Sequence, residues 1–248
     1  MKIGILTGGT GAQFAEDIIE LLCNKEKHIV ILSRSKSKLQ NSLERYKEKK
    51  FNVSGYETDY SEKSLSEIID LIDKKYKKID FLINNAATAK LKNVEDVSIN
   101  DWNEVLYVNL TMPMILSRLV SKTMIKNKNG SIVNISSIYG SRAPKHFIYG
   151  DSNLNSPLNY GVSKAGLEQM TRYLASYWAP FIRVNCVVAG GRFNNQEKKF
   201  VRNYIKNTPL QRMANKDDIG GLVNFLCSNQ ASYITGQNIH VDGGWSIW

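Results

Sequence analysis

The chain has 248 residues, 42% hydrophobic and 23% charged. That is an ordinary balance for a folded domain able to bury roughly three quarters of its unfolded surface, and it excludes a disordered chain. The net charge of +10 invites a nucleic-acid partner. However, Lys36, Lys38, Lys47, Lys49, Lys50, Lys74, Lys75, Lys77 and Lys78 lie on polar helical faces, which reads as a solvated basic surface attractive to small anions. Cys23, Cys186 and Cys227 stand far apart in apolar surroundings, with neither CxxC nor metal-ligand spacing, so buried free thiols in a reducing compartment are expected. With no long apolar run and no signal-type start, a cytoplasmic protein that binds neither membrane nor nucleic acid is predicted.

Short apolar runs at 3–6, 29–32, 52–56, 79–83, 131–135, 182–187 and 238–241 predict strands. Helical patterns fall near 12–25, 36–49, 62–77, 101–127, 158–178, 196–207 and 216–228. In the third of these, Leu65, Ile68, Ile69 and Ile72 line one face of a helix. Strand–helix alternation at this interval predicts an α/β fold over 1–248, a doubly wound parallel sheet of about seven strands with helices on both faces. Such sheets bind ligands at the carboxyl ends of their strands. The Gly-, Pro-, Asn- and Ser-rich stretch from 139 to 158 breaks the rhythm and reads as a functional loop.

The first strand runs into Thr7-Gly8-Gly9-Thr10-Gly11-Ala12 and then a helical pattern. Glycines there let the backbone approach a pyrophosphate, whose charge the helix start favours; the alternative is a tight turn that binds nothing. At the end of the second strand stand Ser33-Arg34-Ser35-Lys36. No carboxylate is present there to hold a ribose 2′-OH, and Arg34 can pair with a 2′-phosphate, so NADP(H) is read ahead of NAD(H). Arg34 as a plain surface arginine remains the alternative.

Tyr160-Gly161-Val162-Ser163-Lys164 lies in a helical pattern, placing Tyr160 and Lys164 at i and i+4 on one face. A tyrosine pKa near 10 is too high for easy proton exchange at neutral pH, and a nearby ammonium favours the phenolate. Alone, this pair is a common surface arrangement. It is accompanied by Asn84-Asn85-Ala86-Ala87, Asn109, Ser136-Ser137, Arg183-Val184-Asn185, Tyr233-Ile234-Thr235-Gly236 and Val241-Asp242-Gly243-Gly244. In this order and spacing the chain resembles the short-chain dehydrogenase/reductase family along essentially its whole length.

The resemblance implies a single Rossmann-type oxidoreductase domain in which Tyr160 is the general acid/base and Lys164 tunes it and holds the nicotinamide ribose. Ser137 would orient the substrate oxygen, and Asn109 would hold a relay water. Thr7, Gly8, Gly9, Thr10 and Gly11 would line the pyrophosphate. Ser33, Arg34, Asp59, Asn85 and Ala86 would serve the adenosine side, and Gly190 the nicotinamide side. Tyr149 and Gly191 would join Ser137 and Tyr160 around the substrate. The chain departs from the family at Ala12, Gln13 and Phe14, where a further glycine is usual. It also departs at Ala87, where a glycine usually follows Asn-Asn-Ala, and at Ala189-Gly190-Gly191, where Pro-Gly is usual, which predicts a more mobile nicotinamide-side loop. Phe193-Asn194-Asn195 stand where a threonine is usual.

From Ser137 to Tyr160 is 23 positions, longer than in compact members of the family. The insertion is expected to bring Arg142, Lys145, His146, Tyr149, Asp151, Asn153 and Asn155 beside the reaction centre, Arg142 and Lys145 meeting a phosphate or carboxylate. A decorative surface lid is the alternative. Ser-Ser-Ile-Tyr-Gly and the proline before Tyr160 resemble sugar-nucleotide enzymes of the superfamily, and similar enzymes serve surface-polysaccharide and flagellar sugar biosynthesis. A sugar or sugar nucleotide is therefore the expected substrate. Neither His28 nor His240 has partners at metal-ligand spacing, so no metal is expected. Leu106, Leu110, Met114, Leu167, Met170 and Leu174 exceed one core face and predict a homodimer or homotetramer. Trp245 and Trp248 are read equally as subunit contacts or local packing. An epimerase or dehydratase recycling its NAD(P), and a non-catalytic dinucleotide-binding protein, are the competing readings.

Overall fold

The computed structural model describes residues 1–11, 14–23, 26–150 and 155–248. Seven apolar segments become strands: β1 (Lys2–Thr7), β2 (Lys27–Ser33), β3 (Val53–Glu57), β4 (Phe81–Asn84), β5 (Gly130–Ser137), β6 (Ile182–Ala189) and β7 (Asn238–Val241). All pair in parallel, in the order β3-β2-β1-β4-β5-β6-β7. Strands 1, 2, 4, 5 and 6 are buried on both faces almost throughout, as helices on both sides require. The order reverses between β1 and β4, opening a crevice at their carboxyl ends.

The helices are α1 (Ala15–Leu22), α2 (Lys36–Glu48), α3 (Glu62–Tyr76), α4 (Ile99–Leu106), α5 (Met112–Lys126), α6 (Ile138–Ser141), α7 (Leu158–Trp178), α8 (Lys198–Lys206) and α9 (Gly220–Leu226). On one face of the sheet α3, α5 and α7 bury Ile68, Ile72, Leu116, Val120 and Trp178; on the other, α1 and α9 bury Ile18, Leu22, Val223 and Leu226. The stretch expected as one helix over 101–127 is two, α4 and α5, joined by a π-helical turn at Tyr107–Thr111 that carries Asn109. Wide turns of this kind are common at functional sites.

Two strands outrun their apolar cores. β5 and β6 stay in register to the pair Ser137↔Ala189, because ladder hydrogen bonds continue wherever both backbones remain extended. The polar Ser136 and Ser137 are thus strand residues at the mouth of the crevice.

The described residues of the long insertion are built into the fold. It forms α6 and a 3-10 turn at His146–Ile148, and sends Ile148 and Tyr149 into a third core with Phe200, Tyr204, Met213 and Trp245. Trp245 is local packing: it is buried, stacks on Tyr204 and meets Tyr139 edge-on. Trp248 is exposed, with its indole N–H donating to the Asn207 carbonyl. Asp151 and Asn153 lie outside the described residues.

The apolar surplus on the long helices is also redistributed. Leu167 and Leu174 are core residues, and Leu110 packs over Gly166, where a Cβ would come within 2.8 Å of it. Met114 stays partly open, while Tyr173 and Tyr177 stack on each other on the exposed face of α7.

Candidate active site

The end of β5, the first turns of α7 and the loop after β6 converge on one cavity. Among its lining residues are Asn85, Ser137, Tyr139, Tyr149, Tyr160, Lys164, Gly190, Gly191 and Arg192. Tyr160 and Lys164 share a face of α7, as their spacing demands. The Ser137 hydroxyl lies close enough to the Tyr160 phenol to pull its pKa down, and accepts from Tyr139 N at 3.3 Å.

The electrostatics differ from the sequence expectation. Burial pushes the Tyr160 phenol upward, against the pull of Ser137, and the neighbouring Tyr149 adds to the rise. Burial also lowers Lys164 to about 8. Its ammonium donates to the Ile135 carbonyl at 2.7 Å and lies 5.6 Å from the centroid of the Tyr160 ring. Each group sits where its charged form loses solvation, and that loss is the largest cause of both shifts. The phenol is thereby held as a neutral proton donor.

Asn109 is committed to the protein. Its amide donates to Thr88 O at 2.9 Å and to Ser163 Oγ at 3.0 Å, while its oxygen accepts from Thr88 N at 2.8 Å. With both donors used, the side chain ties the segment after β4 to α7.

At the crevice, Gly8 has a positive φ of 72°, and a Cβ there would lie 2.8 Å from the Ala86 Cα, so only glycine fits. Gly11, at φ 103°, faces open space. Gly9 packs on Ile31, and Thr10 Oγ1 bonds Ser33 Oγ at 3.3 Å, linking the turn to the end of β2. Thr7, expected against a pyrophosphate, instead points inward. Its fully buried hydroxyl accepts from Asn85 N at 3.1 Å and Ala86 N at 3.0 Å, bracing β1 against β4. Ala12 and Gln13 lie outside the described residues.

On the expected adenosine side, Arg34 is exposed with its guanidinium 5.8 Å from the centroid of the Tyr60 ring. Asp59 is exposed, its carboxylate accepts from Ser61 N at 2.8 Å, and the Ser61 side chain first and this backbone bond second hold it below the usual carboxylate range.

The insertion residues divide. Tyr149 enters the cavity, its hydroxyl 2.6 Å from that of Tyr139, and Asn155 lines the same wall. Arg142 and Lys145 are corrections to the anion-binding expectation. Arg142 donates to the Ser246 carbonyl through two nitrogens, and Lys145 donates to Asn207 Oδ1 while lying over the Trp245 ring. Both strap the carboxyl-terminal segment to the insertion. His146 is exposed and outside the reaction cavity. Sequence reasoning missed Tyr139, Phe200 and Tyr204; the last two, four apart on α8, form a helix face that could have been flagged. Among the described residues no cluster of three His, Cys, Asp or Glu side chains is placed to hold a metal, and no helix is long and apolar enough to cross a membrane.

Comparison with known proteins bears on this geometry. A family profile described as "Enoyl-(Acyl carrier protein) reductase" matches residues 11–246. The 3-oxoacyl-[acyl-carrier-protein] reductase FabG of Buchnera aphidicola subsp. Baizongia pistaciae is 33% identical, over 98% of this chain and 96% of its own. A crystal structure of a short chain dehydrogenase from Leptospira borgpetersenii serovar Hardjo-bovis with bound NAD+ is 35% identical, with a TM-score of 0.89 over 99% of this chain and 92% of that one. This chain belongs to the short-chain dehydrogenase/reductase family. Post-translational flagellin modification protein A of Campylobacter coli is a further relative, 31% identical over 90% of this chain and 86% of its own.

Two departures from the family now have structural accounts. Phe14 is buried in the core beneath α1, so the turn accommodates the ring rather than presenting it to solvent. The loop after β6, expected to be more mobile without its proline, is held. Gly190 N donates to Val241 O at 2.9 Å and Gly191 N to the Tyr204 hydroxyl at 2.6 Å, while Arg192 bridges to Ala214.

Proposed function

We propose that this short-chain dehydrogenase/reductase is an NADP(H)-preferring enzyme that moves a hydride to or from a carbonyl or secondary-alcohol carbon of a sugar or sugar nucleotide. The observation that carries the reading is that Ser137, Tyr160 and Lys164 line one cavity together with Gly190 and Gly191.

The residues present fit a dinucleotide: Gly8 admits close backbone approach, Gly11 opens outward, and Gly190 leads into the proton-transfer cavity. Bound nicotinamide would supply or accept the hydride. Gly8, Gly9, Thr10 and Gly11 would hold the phosphates, with Ser33, Arg34 and Asp59 on the adenosine side and Asn85 and Ala86 flanking it. Tyr160 gives its phenolic proton to the substrate oxygen in reduction and recovers it in oxidation. Ser137 donates to that same oxygen and fixes its position. Lys164 holds the ribose and stands one helical turn behind the phenol, while Asn109 keeps α7 and the post-β4 segment in place.

Arg34 supports the NADP(H) preference: among the described residues no carboxylate pairs with its guanidinium at the strand end, and it lies over Tyr60. Arg34→Leu is expected to weaken NADPH binding by about tenfold, as loss of a charge-assisted hydrogen bond implies, and to leave NADH binding unchanged. Equal wild-type affinities for the two cofactors would refute the preference.

For the substrate, the cavity offers polar groups along an aromatic wall: the paired Tyr139 and Tyr149 hydroxyls, Gln196, and the Asn155 oxygen, buried without a partner among the described residues. Such a wall satisfies a hydroxyl-rich ring and rejects analogues lacking the bonded groups. NADPH oxidation is to be followed with keto-sugars, sugar nucleotides and a 3-oxoacyl thioester. Turnover of the thioester alone would remove the sugar reading, and product without net cofactor change would indicate an epimerase or dehydratase. The stacked Tyr173 and Tyr177 support a homodimer or homotetramer through α7, to be checked by light scattering. The three free thiols suit the cytoplasm, with burial pushing each up to about 12.

A further inference from the structure

We infer that Arg192 grips the dinucleotide's pyrophosphate, with the Phe14 ring as the surface on which its guanidinium rests. The inference rests on the dinucleotide reading above and adds a phosphate contact to it.

Arg192 and Phe14 both line the cavity that holds Tyr160 and Lys164, and the guanidinium carbon lies 5.8 Å from the centroid of the Phe14 ring. The ring is fixed, since Phe14 is only 3% exposed. Phe14 stands directly before α1 in the capping position, where a phenyl ring cannot accept from the helix's first N–H groups. The backbone bearing Arg192 is equally fixed. Phe193 N donates to Ala214 O at 3.0 Å, Ala214 N to Gly191 O at 2.9 Å, and Gln196 Nε2 to the Arg192 carbonyl at 2.8 Å.

What this arginine lacks is an acceptor. Arg183 donates to three carbonyls and Arg212 grips Asp218 through two nitrogens. Among the described residues no carboxylate or carbonyl receives the Arg192 guanidinium, although it is half-buried. A planar fork of donors held on an aromatic face inside a cavity is built for an oxyanion, and phosphate matches its spacing. The same chemistry could come from an acidic substrate. Its seat on the residue that ends the glycine turn favours the phosphates over the substrate end.

The test compares wild type, Arg192→Gln, Arg192→Lys and Phe14→Leu in titrations with 2′-phospho-ADP-ribose, which has the pyrophosphate but no nicotinamide, and with 2′-AMP, which has neither. Arg192→Gln is expected to weaken the first by about tenfold or more and to leave the second unchanged. Arg192→Lys restores only part of the loss, because an ammonium keeps the charge without the fork. Phe14→Leu preserves apolar volume and shows a smaller loss in the same direction. Unchanged binding of 2′-phospho-ADP-ribose to Arg192→Gln would overturn the inference while leaving the dinucleotide reading intact. So would a loss seen only in the KM of an acidic substrate. Failure of wild type to bind either probe or NADPH would bring down the dinucleotide reading itself, and this inference with it.

Discussion

Tyr160→Phe is expected to lower kcat by about a thousandfold, the scale on which a positioned general acid/base contributes, while NADPH still binds with wild-type affinity. The substitution removes one oxygen and keeps the ring that packs at the start of α7. Its effect should therefore fall on proton transfer, not on the fold. The hydroxyl lost is the one that interacts with Ser137, on the ring that lies beside Lys164. Tyr139 and Tyr149 are nearby phenols, but they are bonded to each other, and burial pushes Tyr139 far above the ordinary tyrosine range. Because burial also holds the Tyr160 phenol up, the donor form persists across neutral pH. Carbonyl reduction should be flat there and should fall only in alkali, whereas alcohol oxidation should climb with pH. A Tyr160→Phe enzyme retaining a tenth or more of wild-type kcat would mean that another group supplies the proton.

Lys164→Met carries the second large effect, on activity and on the pH dependence of stability together. Removing the amine should cost about as much in kcat as losing the tyrosine, since residues acting as one unit share a single contribution. The stability effect has a definite sign. Lys164 titrates at about 8 in the fold against 10.5 in the unfolded chain. Between those values the unfolded chain binds the additional proton, so stability from this group rises as pH rises through the window. Below about 8 the full cost of burying the ammonium is present, on the order of 3 kcal/mol from roughly 1.4 kcal/mol per pH unit. The methionine variant has no such charge. The gap in unfolding free energy between the two proteins should therefore move in favour of wild type between pH 7 and pH 10, by up to about that amount. Differencing the two proteins removes the buried cysteines and tyrosines, which titrate in both. A gap independent of pH would show that the Lys164 ammonium remains solvated in the folded chain.

These two residues, with the fold around them, were legible from the amino-acid order alone. Each strand announced itself as an apolar run and each major helix as a 3.6-residue pattern, because parallel sheets must be covered on both faces and helices must bury one stripe. The Tyr160–Lys164 pair and the glycine turn stood out by local spacing, one helical turn and one tight bend, but the roles of that pair and of Ser137 were implied only by the resemblance to the family. What could not be read was which way a side chain turns when two partners compete for it. Thr7 belongs to the phosphate motif by position, yet its hydroxyl serves Asn85 and Ala86, residues brought near only when β4 aligns beside β1. Arg142 and Lys145 carry charge into the insertion, yet the final residues of the chain return to claim them. Asn109 spends its amide on Thr88 and Ser163. The acidity of Tyr160 was misjudged for the same reason. The i, i+4 spacing guarantees that amine and phenol are neighbours, but how much water each retains is set by β5, β6 and the insertion closing over them. Sequence order by itself determined the sheet, the glycine turn and the neighbourhood of Tyr160 and Lys164. Tertiary packing alone decided protonation, the aromatic substrate wall and the Phe14–Arg192 contact, because desolvation and partner choice depend on atoms far apart along the chain.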